Sequence, residues 1–151
     1  MYKFFTLILI LLLCSCGYQP INKVSNFNFW LEIDEIKSEN IIKQELKKLI
    51  SRYSKNSNKT KKYQISIKSS TERIVSSKNT SGEATNYNLL IVLNVTATNE
   101  KQVILKKKYE KNISYNTTAS KFELKQYEDI LKKDASREIF SEVINDLTLI
   151  R

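Results

Sequence analysis

Side chains able to do chemistry are scarce in this sequence. Its two cysteines, Cys14 and Cys16, stand one residue apart behind an apolar run, and there is no histidine. Without imidazole there is no His-based triad, no His-ligated zinc and no histidine general base. Carboxylates remain, for example Asp34 with Glu35 and Glu123 with Glu128. Neither pair sits at a convincing strand-end cluster, and neighbours in a strand point to opposite faces. No catalytic residue, metal or cofactor is therefore expected. What the sequence does offer is a thiol at a processing site.

The segment ahead of that thiol reads as an export signal. Lys3 supplies positive charge, and Phe4 to Leu13 form an apolar stretch broken only by Thr6. This is a short secretory core, well under the roughly 20 residues a spanning helix needs. Its end, Leu13-Cys14-Ser15-Cys16, resembles the lipobox of bacterial lipoproteins. There a Leu lies three residues before the modified Cys. Small residues fill the two positions just before it, where the signal peptidase must fit tightly. Cys16 fits; Cys14 fits worse, because bulky Leu13 directly precedes it. The resemblance implies a lipoprotein signal peptide over 1–15, acylation of Cys16 (palmitate) and an acylated tether over 16–26. The competing reading is an ordinary signal peptide, or a retained anchor, with two incidental cysteines.

Removing residues 1–15 leaves 136, enough for one domain over 27–151. No cysteine follows Cys16, so that domain has no disulfide in a compartment that would permit one. The formal charge is +9 for the whole chain and +8 without Lys3. A basic domain favours anionic partners. For an exported, lipid-anchored chain these are phospholipid headgroups and lipopolysaccharide phosphates, not nucleic acid. Part of the excess is compositional, because Lys, Asn and Ile abound. Abundant Asn, Ser and Thr likewise account for the sequons beginning at Asn58, Asn79, Asn94, Asn112 and Asn116.

The elements follow from periodicity. Gly17 to Asn26 is a tether of at most about 35 Å when extended, and holds the only proline, Pro20. Phe27, Phe29, Leu31 and Ile33 share one parity, which predicts a strand with one buried face. Ser38 offers an N-cap oxygen, and Ile42, Leu46, Leu49, Ile50 and Tyr53 recur at helical spacing, which predicts a helix over 39–53. Alternation from Tyr63 to about Ile74 predicts a second strand, and 76–84 a loop in which Gly82 meets a need for positive φ. The strongest strand runs from Thr85 to Thr98. A hairpin turn at 99–102 and a strand over 103–115 follow. Leu124, Tyr127, Leu131, Ala135, Ile139, Val143 and Leu147 then trace the stripe of a long last helix over 122–149. Glu128 with Lys132 and Asp129 with Lys133 read as i,i+4 pairs on its wet side. The fold expected is α+β, a two-layer sandwich: a four-stranded mixed sheet with two helices on one face, in the order β-α-β-β-β-α.

That order, behind Cys16-Gly17-Tyr18, resembles the LptE family of lipopolysaccharide-assembly lipoproteins. Gly82-Glu83-Ala84-Thr85-Asn86-Tyr87 resembles the family's glycine loop, and the long last helix with Asp134 and Ala135 near its middle fits as well. The resemblance implies an outer-membrane lipoprotein that plugs the LptD β-barrel, supports its assembly and assists lipopolysaccharide transport to the outer leaflet. It implies lipopolysaccharide contact by basic residues at the glycine loop, where Lys78 is nearest, and at the start of the last helix, where Lys121 stands. It implies no enzymatic activity.

Two surfaces are expected from the residues. Arg73 and Lys106, with Lys107 and Lys108, could extend Lys78 and Lys121 into a basic rim for phosphates. Trp30, Leu90, Val92 and Ile104 lie on the second parity of their strands and would form an apolar partner surface on the helix-free face. The alternative function is an auxiliary lipoprotein of another envelope transport system.

Overall fold

The computed structural model describes residues 27–55, 59–118 and 120–150. The expected signal peptide, Cys16 and the expected tether lie outside the described residues. Six elements run β1 (Phe29–Lys37), α1 (Asn40–Ser51), β2 (Lys61–Lys78), β3 (Ala84–Asn99), β4 (Gln102–Asn116) and α2 (Lys121–Leu149). The sheet order is β1-β2-β3-β4, open at both sides. β1 is parallel to β2, with α1 as the crossover, and the other pairs are antiparallel. The sheet is thus mixed and the order β-α-β-β-β-α, as the periodicity predicts.

The core lies between one sheet face and both helices. Leu89, Ile91, Leu93, Val95 and Ala97 of β3 are its centre, flanked by Tyr63, Ile65 and Ile67 of β2 and covered by Ile42 and Leu46 of α1 and Ile139 and Val143 of α2. The helices are joined by a charged pair. Glu45, nearly buried on α1, accepts from Arg137 Nε of α2 at 2.7 Å. Arg137 Nη1 also reaches Asp134 at 2.6 Å.

Local geometry departs from simple periodicity in three places. A bulge between Ile33 and Glu35 inserts Asp34 as an extra residue of β1. Parity is reset, so Ile36 enters the core and Ile33 is left partly open. The α1 cap is Glu39, not Ser38. Ser38 Oγ instead lies 2.6 Å from Ser69 Oγ of β2, while the Glu39 carboxylate reaches across to α2. Third, β2 runs on to Lys78 where the sequence reads as loop. Its register with β1 ends at Lys37 opposite Lys68, and beyond that it pairs with β3 alone.

Both hairpins use left-handed backbone. Gly82, at φ +81°, closes the β2–β3 turn as its position predicts. The two-residue β3–β4 turn places Glu100 at φ 46° and Lys101 at φ 71°, the sense that matches strand twist. Ser120 caps α2, its hydroxyl accepting from the Glu123 N–H at 3.3 Å.

Candidate functional site

The free half of β2 opens a cleft. α1 covers the part of the sheet that β1 borders, so from Thr71 onward the helix layer is the first half of α2. Between that half-helix and the ends of β2 and β3 lies a cavity of about 630 Å³. Its lining includes Arg73, Tyr87, Lys121, Lys125, Glu128 and Lys132.

Glu128 is the hub of the floor. Arg73 Nη1 donates to Glu128 Oε1 at 3.0 Å, and Tyr115 Oη donates to the same oxygen at 2.6 Å. The Arg73 guanidinium lies 5.0 Å from the Tyr87 ring centroid, within cation–π reach. The Glu128 side chain is only 13% exposed and that of Arg73 50%. The bond to Glu128 holds Arg73 more firmly protonated. Burial first, and then the bond to Glu128, pushes the Tyr115 phenol well above its usual range. Beside this hub, Lys132 Nζ donates to both Glu39 oxygens at 2.8 and 2.9 Å, and Thr71 Oγ1 donates to Glu39 Oε2 at 3.3 Å.

These contacts correct the reading of the last helix. Glu128 and Lys132 do not pair with each other on a wet face. Each crosses to another element, and the Lys132 side chain is only 12% exposed. The sequence signal was present, since Glu128 is four residues after Leu124 and seven before Ala135, on the apolar stripe itself.

Charge balance sets what the cleft can do. Arg73 and Lys132 are neutralised in place, whereas Lys121 and Lys125 are exposed on the first turns of α2. Neither has a carboxylate partner within bridging distance among the described residues. The positive end of the α2 dipole adds to them. Phe122 and Ile130 are exposed on the outer side of the same helix segment. Ammonium groups beside exposed apolar side chains suit an anionic amphiphile better than a small polar ligand.

Of the basic residues expected at the site, the structure brings Arg73 and Lys121 into this cleft. Lys78 ends β2 opposite Ala84, beside the glycine turn and outside the lining. Lys106 is in register with Thr96 on the opposite sheet face. The apolar set is likewise divided. Trp30 is in register with Lys62 and Val92 with Ser70. That is eight residues along β2, or roughly 26 Å at strand rise. Leu90 and Val92 are same-face neighbours on β3, with Val92 nearly buried. Ile104 flanks the β3–β4 irregularity and packs against the core. The four do not form one continuous patch. Asp34 and Glu35, read as opposed, both bond on the helix-free side because of the bulge, to Ser66 and to Lys37.

A four-stranded mixed sheet with two helices in the order β-α-β-β-β-α is an α+β fold, and solved lipoproteins share that fold. Rare lipoprotein B from Shewanella oneidensis matches with TM-score 0.54 at 14% identity, over 82% of this chain and 98% of that one. Lipoprotein B from Nitrosomonas europaea matches with TM-score 0.56 at 13% identity, over 80% and 81%. A minor lipoprotein from Acinetobacter baumannii matches with TM-score 0.56 at 14% identity, over 80% and 90%. At such identities the likeness is one of fold. No curated protein sequence matches the chain. The family is settled by sequence: the model of LptE, lipopolysaccharide-assembly, matches residues 29–147, and the chain belongs to that family.

Proposed function

We propose that this chain is an outer-membrane lipoprotein, anchored through acylated Cys16, that plugs the LptD β-barrel, supports its assembly and assists lipopolysaccharide transport to the outer leaflet. The observation that carries the reading is the extent of the family match. It runs from the first residue of β1 to the last core residue of α2, Leu147, so the described fold is the family's module from end to end. The family's role is lipopolysaccharide assembly, which asks a domain for binding surfaces and not for a reaction centre.

In this reading Lys121 and Lys125 meet lipopolysaccharide phosphates at the cleft mouth, and exposed Phe122, next to Lys121, offers apolar surface to acyl chains. Arg73, held by Glu128, shapes the wall. Lys78 stands at the tip of the β2–β3 hairpin, within reach of a large glycolipid whose phosphates are spread apart. Leu90, half-buried on the opposite face, is offered to the barrel wall.

The test is affinity purification of the tagged full-length protein from detergent-solubilised outer membranes, with mass identification of what co-purifies. A stoichiometric large β-barrel is expected. Inner-membrane transport components, or no partner, would overturn the assignment.

A further inference from the structure

The end of the fold opposite the cleft has its own chemistry. The described chain begins there. Phe27 leads into β1, and the Thr60 and Lys61 N–H groups both donate to the Asn28 carbonyl, at 3.3 and 3.0 Å. The same end collects cations from two connections remote in sequence, α1–β2 and β3–β4. Lys61, Lys62 and Lys101 line one cleft of about 400 Å³. Lys55 and Lys62 both lie over the Trp30 ring, 5.7 and 5.3 Å from its centroid. Lys59 is tied to the Ser54 carbonyl at 2.9 Å in the same connection. Only Lys62 has a carboxylate partner here, Glu32; among the described residues Lys55, Lys59, Lys61 and Lys101 have none. Glu100 is the one acid lining that cleft among the described residues.

Apolar side chains are interleaved with these cations. Leu149 at the end of α2 is 78% exposed, and Val103 beside the β3–β4 turn is 60% exposed. Phe27, Leu147 and Ile150 line a notch of about 310 Å³ that also includes Lys61. Ammonium groups set among exposed apolar side chains and a half-buried tryptophan are the composition of a membrane-surface contact.

We infer that this end of the domain docks on an anionic phospholipid surface, the leaflet that carries the anchor. Two observations select a membrane as the occupant. The surface is cationic, complementary to phosphodiester headgroups. The chain ahead of Phe27 also leaves from this end, and ten tether residues reach at most about 35 Å. The inference rests on acylation of Cys16 only for which leaflet is met. Acyl chains supply insertion and the lysines a second attraction, which holds the domain upright with the α2 N-terminal cleft directed away from that leaflet.

The test uses the whole chain from residue 16 with Cys16→Ser, so that no acyl chain contributes. It is sedimented with vesicles of phosphatidylcholine alone and of phosphatidylcholine doped with phosphatidylglycerol. Binding to the doped vesicles only, lost at high salt, is expected. K55Q/K61Q/K101Q should weaken it on the order of 100-fold, at about fivefold per lysine near an anionic surface. K43Q/K47Q/K68Q removes the same charge elsewhere and should retain binding; circular dichroism checks that each variant is folded. No binding to doped vesicles, equal binding to both kinds, or equal loss in the two triple variants would overturn the inference. Mass analysis of Cys16 in the natural protein tests the anchor separately, so failure of one reading is told apart from failure of the other.

Discussion

Glu128→Gln tests the electrostatics of the cleft most directly. In the native protein the carboxylate neutralises Arg73 at 3.0 Å and receives the Tyr115 hydroxyl at 2.6 Å. The amide keeps an acceptor for Tyr115 but no longer cancels the guanidinium. A phosphate about 5 Å from Arg73 would then gain roughly 0.8 kcal/mol in water and about 3 kcal/mol at an effective dielectric of 20. Arg73 is half exposed, so the gain belongs near the lower figure, about 1 kcal/mol or fivefold tighter lipopolysaccharide binding. The substitution also weakens a charge-assisted hydrogen bond, at about 1 kcal/mol of folding stability. The assay is fluorescence anisotropy of labelled lipopolysaccharide with the full-length protein in detergent, at several salt concentrations, beside Arg73→Gln and Lys121→Gln. Expected are tighter binding and a steeper salt dependence for Glu128→Gln, a small loss for Arg73→Gln and a larger loss for Lys121→Gln. Weaker binding by a folded Glu128→Gln protein, or equal losses for the Arg and Lys variants, would refute the reasoning.

Three further outcomes are expected. Arg137→Ala leaves the nearly buried Glu45 carboxylate without its donor, at about 1–3 kcal/mol by urea unfolding; Glu45→Gln in the same chain should recover part of that loss, and no recovery would argue against the pair as the cause. Tyr109 and Tyr115 are held above the ordinary phenol range, first by burial and then by bonds to Asp146 and Glu128. A raised value means the folded state keeps the proton, so this stability is complete below about pH 10 and lost as pH rises further. Phenolate absorbance should show these two tyrosines titrating only with alkaline unfolding, and a single step near the ordinary value in a folded protein would contradict this. Gly82→Ala adds a Cβ in open space at φ +81°, so its cost is backbone strain alone, about 1 kcal/mol; an unchanged urea midpoint would remove the strain argument.

How far the sequence disclosed this structure depended on burial. β3 is buried on its helix face along most of its length, and its alternation gave both type and extent. The second half of β2, Ser69-Ser70-Thr71-Glu72-Arg73-Ile74-Val75-Ser76-Ser77-Lys78, is mostly exposed, so its strand state rests on pairing to β3 and leaves no apolar period. Bulges are equally silent: nothing in Ile33-Asp34-Glu35 announces the extra residue, which is recognised only through its partner register. The cleft was half legible. Basic residues could be named, and two of them meet. Which cations are neutralised is decided by contacts between residues 55 positions apart for Arg73 and Glu128 and 93 apart for Glu39 and Lys132. Local spacing carries no such information, although the place of Glu128 on the apolar stripe gave a hint.

The extension of β2 past β1 has another side. Among the described residues it leaves a row of backbone N–H and C=O groups with no strand beside them, a template onto which a second copy could add edge to edge. The residues along that row oppose such growth. Glu72 and Lys78 place charge on it, serines flank its exposed Ile74 and Val75, and register irregularities at Val75–Ser77 and Ser77–Lys78 bend its far end. The length of strand that opens the cleft is thereby kept from becoming the start of an aggregate.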